Sequence, residues 1–143
     1  MGRIVVGVDG SMPSREALLW AVSEAAHTGA VVEPMMVWEN PYREMWLPHV
    51  EPRGDPLALV RQRLDLLVEE VLGPHPDVPI EPLVAEGAPA RMLVGAAKGA
   101  DLLVVGNRGR GGFVGVLLGS VSFHCVSHAP CPVVVVRGEP DGS

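Results

Sequence analysis

An α/β fold on a parallel sheet, with helices on both faces, is predicted by three features of the sequence. Strand-length apolar runs alternate with segments of helical period. The runs are apolar at odd and even positions alike, as strands buried on two faces require. No composition shift or internal repeat divides the chain, so residues 1–143 are expected to form a single domain.

Arg3 to Val8 reads as a buried first strand ending in the turn Asp9-Gly10-Ser11. Ser11 is placed to cap a helix that tolerates Pro13 in its first turn. Ala17, Leu18, Ala21, Val22 and Ala25 give that helix its inner face, and Thr28-Gly29 stops it. A second strand spans Val31 to Trp38. From Glu39 to Pro56 no period is present, and four prolines oppose regular structure, so this long loop reads as a flap or a partly disordered segment. Leu57, Val60, Leu64, Leu67, Val68 and Val71 lie on one face of a second helix that ends at Gly73-Pro74. Pro79 to Ala85 is a third strand, placed at an edge by Pro79 and Pro82. Pro89 opens a third helix with Leu93, Val94 and Ala97 inward. Asp101 to Val105 is the fourth strand, a glycine-rich stretch runs from Gly106 to Gly119, and a short helix starts near Ser120. Pro132 to Val136 is the fifth strand, before a tail expected to fray.

Composition excludes several functions. The net charge is −6, from 11 basic and 17 acidic residues, which argues against a nucleic-acid binder but not against a phosphate ligand held by local donors. No apolar run approaches the length of a membrane span, and nothing near Met1 resembles a signal peptide, so a cytoplasmic protein without membrane contact is expected. Two cysteines, Cys125 and Cys131, imply no disulfide framework.

The chemistry concentrates in G-N-R-G-R-G-G-F-V-G-V-L-L-G-S, Gly106 to Ser120. Glycines let backbone N–H groups approach an anion, and a following helix N-terminus adds partial positive charge. Ser120 is read as the N-cap, with a hydroxyl available to a phosphate oxygen. The bland alternative is a mobile surface loop with an ordinary capping serine. A Walker A loop is excluded, because no Gly-Lys-[Ser/Thr] occurs, and the dinucleotide fingerprint fails because the loop follows the fourth strand.

The pattern G-x2-G-x9-G-[S/T], matched by Gly106, Gly109, Gly119 and Ser120, resembles the ATP-binding signature of the universal stress protein family. I-V-V-G-V-D-G-S at the start and H-A-P-C-P-V-V-V-V near the end resemble that family's first and last strands. The resemblance implies a Rossmann-like sheet of order 3-2-1-4-5, similar to the adenine nucleotide alpha hydrolase fold. It implies ATP as the ligand, and Mg²⁺, which takes one or two carboxylates plus phosphates, would arrive with it. Asp9 would contact the nucleoside, with Gly7 or Gly10 allowing close approach, and Val37 would lie against the adenine. Val105, at the end of the fourth strand, belongs to the same nucleotide-binding set. Gly106 and Gly109 would line the ribose and first phosphates, and Gly119, Ser120, Val121 and Ser122 the outer phosphates. Trp38 could crowd or stack on the base, and Arg108 and Arg110 could reach phosphates or simply solvate the loop.

Other constellations are weaker. Cys125, His124, His128 and Cys131 match no paired zinc spacing, and no metal site is expected. Ser120 and His124 lie one helical turn apart, but no nucleophile elbow surrounds the serine, and no catalytic residue is assigned. The expected function is therefore a nucleotide-dependent stress-response or signalling module. The alternatives are a slow ATPase or self-phosphorylating enzyme in the same pocket, or a nucleotide-free protein acting through its surface. An uncharged edge at Pro132 to Val136 further predicts a homodimer paired through the fifth strand.

Overall fold

The computed structural model describes residues 2–40, 54–109 and 117–138. Among the described residues five strands, β1 (Arg3–Gly7), β2 (Val31–Trp38), β3 (Leu83–Glu86), β4 (Leu102–Gly106) and β5 (Val133–Val136), alternate with four helices. The helices are α1 (Met12–Thr28), α2 (Pro56–Leu72), α3 (Pro89–Ala96) and α4 (Ser120–His128). The strands form one all-parallel sheet of order β3-β2-β1-β4-β5, as the resemblance implied. Most of the long loop (residues 41–53), the middle of the glycine loop with Arg110, and the tail from residue 139 lie outside the described residues.

Alternation sorts the side chains between two cores. Ile4, Val6, Val32 and Val104 pack with Ala17, Leu18, Ala21 and Leu64 under α1 and α2. Val5, Met35, Leu103 and Val105 pack with Leu93, Ala97 and Cys125 under α3 and α4. Both faces of the sheet are thus covered, which is why the strands read as unbroken apolar runs.

Local chemistry sets the boundaries. Ser11 caps α1 by accepting from Ser14 N, and Gly29 closes it at φ +77°, a left-handed conformation that suits glycine. Asp55 caps α2 through Leu57 N. The third strand is shorter than predicted: proline lacks an N–H, and before Leu83 only Ile80 bridges Val32. It occupies the edge that its prolines predicted. β1 ends one residue earlier than expected, although Val8 is buried and its N–H donates to Met35 O at 2.9 Å. Pro132 precedes β5 but accepts from Leu103 N at 3.0 Å.

The amino ends of the strands are tied by charge. Arg3 Nη1 pairs with Glu33 Oε1 at 2.6 Å, and Arg3 Nη2 donates to Lys98 O beyond the end of α3. Glu33 is only 7% exposed, so its pairing with Arg3 compensates the burial of its charge. The opposite, carboxyl ends of the strands are left for the site.

Candidate functional site

Sheet order reverses between β1 and β4, so the loops leaving these strands part and open a crevice at their carboxyl ends. A cleft of about 600 Å³ occupies that place. Its size falls within the range of small-molecule sites.

Three strands and three helix starts build it. Gly7, Val8 and Asp9 come from the exit of β1, Met35 and Val37 from β2 with Glu39 just beyond it, and Val105 and Gly106 from β4. Ser14, Pro89 and the run Gly119 to Ser122 come from the first turns of α1, α3 and α4. One wall is apolar, with Met35, Val37 and Leu93. The other is polar and rich in backbone, with Gly106, Arg108, Gly109, Gly119 and Ser120.

The polar wall is an N–H array. The first intrahelical bond at the start of α4 runs from Phe123 N to Gly119 O. The N–H groups of Ser120, Val121 and Ser122 therefore have no acceptor within the helix and sit at its positive end. Gly119, not Ser120, is the N-cap, and Ser120 is the first helical residue. The predicted capping role for Ser120 is corrected accordingly: its hydroxyl has no cap bond to make, and the side chain lines the cleft.

Each glycine here has its own reason. A Cβ on Gly106 would lie 2.7 Å from Pro13 C, so close packing against α1 demands glycine. A Cβ on Gly7 would meet Leu93 Cδ1 at 2.9 Å. Gly119 differs: its φ of −72° suits any residue, and a Cβ would find its nearest atom at 3.5 Å, an ordinary contact. The chain's own packing does not require glycine at 119, a cleft-lining residue whose Cβ would touch only the backbone of Asn107 to Gly109.

Of the sequence-predicted residues, Gly7, Asp9, Val37, Val105, Gly106, Arg108, Gly109, Gly119, Ser120, Val121 and Ser122 all line this one cleft. Gly10 does not. It sits at φ +87° in the turn, and its carbonyl accepts from Arg15 Nε. Trp38 is also absent from the lining among the described residues; alternation turns it away from the face that Val37 presents. Ser122 is 2% exposed, and its hydroxyl is engaged by Asn107 O at 3.0 Å and Gly119 O at 3.1 Å. Its contribution to the cleft is its backbone. Asp9 Oδ1 accepts from Ser11 N and Ser11 Oγ, while Ser14 Oγ accepts from Asp9 N. Sequence reasoning missed Ser14, Met35 and Leu93 as lining residues, because they carry only the ordinary signals of a helix start and a core.

A model described as "Universal stress protein family" matches residues 1–137. Universal stress protein Rv2005c of Mycobacterium tuberculosis is 37% identical over 138 residues, covering 94% of this chain and 45% of its own. The chain thus spans about half the length of the curated relatives it matches. A universal stress protein solved in complex with cAMP superposes with a TM-score of 0.67 at 28% identity, covering 96% of this chain and 98% of that one. A family member from Arabidopsis thaliana with AMP bound gives 0.63 at 20% identity, covering 99% and 95%.

Proposed function

We infer the function from kinship and geometry together: the chain belongs to the universal stress protein family, and its switch-point cleft is an adenine-nucleotide site. One observation carries the reading. Gly109, Gly119 and Ser120, far from Asp9 and Val37 in sequence, line one cleft with them, where an apolar wall adjoins an array of N–H groups. An apolar wall suits a planar base and a helix N-terminus suits phosphate, so the two halves match the two ends of a nucleotide. The cAMP and AMP complexes of similar proteins support adenine as the base.

In this reading the base lies against Val37, with Met35 and Leu93 completing the slot. Asp9 meets the ribose, and Gly106 and Gly109 admit the first phosphates. Gly119, Ser120, Val121 and Ser122 hold the outer ones, with Arg108 at the rim. ATP is the proposed ligand, because the array continues past Gly109 to a second set of donors at α4. Mg²⁺ would arrive on the phosphates, as this ion favours phosphate oxygens and water over protein cages.

The proposed role is a nucleotide-dependent stress-signalling module, residues 1–143 acting as one unit in the cytoplasm. No lysine lines the cleft among the described residues, and Asp9 is already engaged by Ser11, so hydrolysis is expected to be slow or absent. No helix of the described residues is long and apolar enough to cross a membrane. A homodimer through β5 is proposed from the ladder. Leu103 N donates to Pro132 O and Asn107 N to Val136 O, so Val133 and Val135 turn their N–H and C=O outward.

The deciding experiment is to denature the purified protein and take the ultraviolet spectrum and mass of anything released. Calorimetric titration with ATP, AMP, cAMP and GTP then follows. Micromolar or tighter binding of an adenine nucleotide, with GTP at least about tenfold weaker, is expected. Absence of binding by all four overturns the reading.

A further inference from the structure

Asn107 is a buried polar residue, 6% exposed, next to the first glycine of the loop, and every polar atom it has is engaged. Its N–H donates to Val136 O at 2.9 Å, which extends the β4–β5 ladder past the sheet. Its carbonyl accepts from Gly119 N at 2.7 Å and from Ser122 Oγ at 3.0 Å. Its side chain reaches in two directions: Nδ2 donates to Leu117 O at 3.1 Å, and Oδ1 accepts from Gly138 N at 3.4 Å.

These bonds join the exit of β4 to two other pieces of chain. Leu117 and Gly119 lie at the far end of the glycine loop, Ser122 is in the first turn of α4, and Val136 and Gly138 are at the exit of β5. A carboxamide donates from one atom and accepts at another, so it can hold a carbonyl and an N–H that lie in different directions. Aspartate has no donor, leucine has neither group, and flipping the amide would set like groups against each other.

We propose that Asn107 is a positioning residue for the cleft. Its carboxamide closes the stem of the glycine loop, fixing Leu117 to Ser122 so that the N–H array of α4 is in place before a ligand arrives. Because the same carboxamide grips Gly138, the array's position is also tied to the backbone leaving β5. The proposal depends on the nucleotide reading only for what the array receives; closure of the stem stands on the hydrogen bonds alone. A preorganised site spends less of its binding energy on ordering the loop, so the clasp acts on affinity.

The test uses two variants of the full chain. Asn107→Leu removes both side-chain bonds without adding charge. Asn107→Asp keeps the shape and the Gly138 arm but loses the donor to Leu117 O. Hydrogen exchange is measured without ligand, and ATP affinity by calorimetry. Both variants are expected to exchange the hydrogen-bonded amides of Gly119 and Phe123 about tenfold faster while those of β1 and β2 stay protected. ATP affinity is expected to fall about tenfold, the scale of one buried hydrogen-bonding group left unpaired. Should Asn107→Leu fail to fold, the exchange comparison of Asn107→Asp decides, because it is made without ligand and repulsion of phosphate by the added charge does not enter it. Unchanged exchange at Gly119 and Phe123, or affinity within twofold of the parent, overturns the proposal. If the parent takes up no adenine nucleotide, the functional reading fails, and the exchange comparison still decides the clasp.

Discussion

Asp9 and Gly109 meet across the switch point: a Cβ on Gly109 would lie 2.7 Å from Asp9 Oδ2. Glycine at 109 therefore leaves room for the carboxylate from β1 as well as for any ligand. Gly109→Ala is expected to displace the Asp9 carboxylate and cost about tenfold in ATP affinity, or about 1.4 kcal/mol. In an Asp9→Ala background the same substitution should cost almost nothing more. A double-mutant cycle checks this, and additive losses would show that the pair is uncoupled.

Gly119→Ala separates folding from binding. Its Cβ meets only ordinary contacts within the chain, so the loss of stability should stay near about 1 kcal/mol, the difference between glycine and alanine at an N-cap. ATP affinity should fall by about a hundredfold, since the methyl group occupies the proposed phosphate approach. Thermal melting beside calorimetry gives both quantities, and retained affinity would remove Gly119 from the site.

Arg3→Leu is expected to destabilise the fold without touching the cleft. It leaves Glu33 buried and unpaired. Breaking a fully buried pair costs about 3–5 kcal/mol, and the half-exposure of Arg3 reduces this to about 2 kcal/mol. Urea denaturation should show a lower midpoint at an unchanged slope, with ATP affinity at the parent value below the transition.

The two thiols should differ in reactivity. Burial pushes Cys125 from an ordinary 9.0 up to about 11. Burial also raises Cys131, with Arg3 opposing and Asp101 adding. Cys131 is partly exposed, so a thiol reagent at pH 8 should modify it first and reach Cys125 only on unfolding. A thiol raised in the folded state favours folding below the unfolded value and loses that contribution as pH climbs from 9 to 11. Stability of the parent should thus fall more steeply across that window than that of Cys125→Ala.

Val135→Pro should abolish β5 pairing while sparing the ladder to β4, because residue 135 points its N–H to the outer edge. Sedimentation at tens of micromolar should give a dimer for the parent and a monomer for the variant. A monomeric parent would end the dimer proposal.

Periodicity and punctuation made most of this fold legible. Ala17, Leu18, Ala21 and Ala25 gave α1 its inner face, and Pro79 and Pro82 gave β3 its place at the edge. Glycine spacing exposed the cleft, because close backbone approach leaves a mark in the residue type itself. Asn107 left no such mark. Its side-chain partners are a carbonyl ten residues away and an N–H thirty-one residues away, and no period or motif encodes a bond to another segment's backbone. Ser122 shows the same limit, since a hydroxyl has the same letter whether it faces a ligand or a neighbouring carbonyl. Ser120 was misplaced by a single position because a glycine can itself serve as the cap.

The inner face of α1 presents methyl groups, from Ala17, Ala21 and Ala25, where many helices carry leucine. Small side chains let a helix axis settle nearer to a sheet, and here the nearness is visible where Pro13 leaves no room for a Cβ on Gly106. The approach of Pro13 to Gly106, beside the cleft-lining Ser14, is therefore set in part by spacers up to three helical turns away. A single enlarged side chain at Ala21, out of reach of any ligand, would act as a shim. It would lift the helix, withdraw Pro13 and retune the cavity with no lining residue changed.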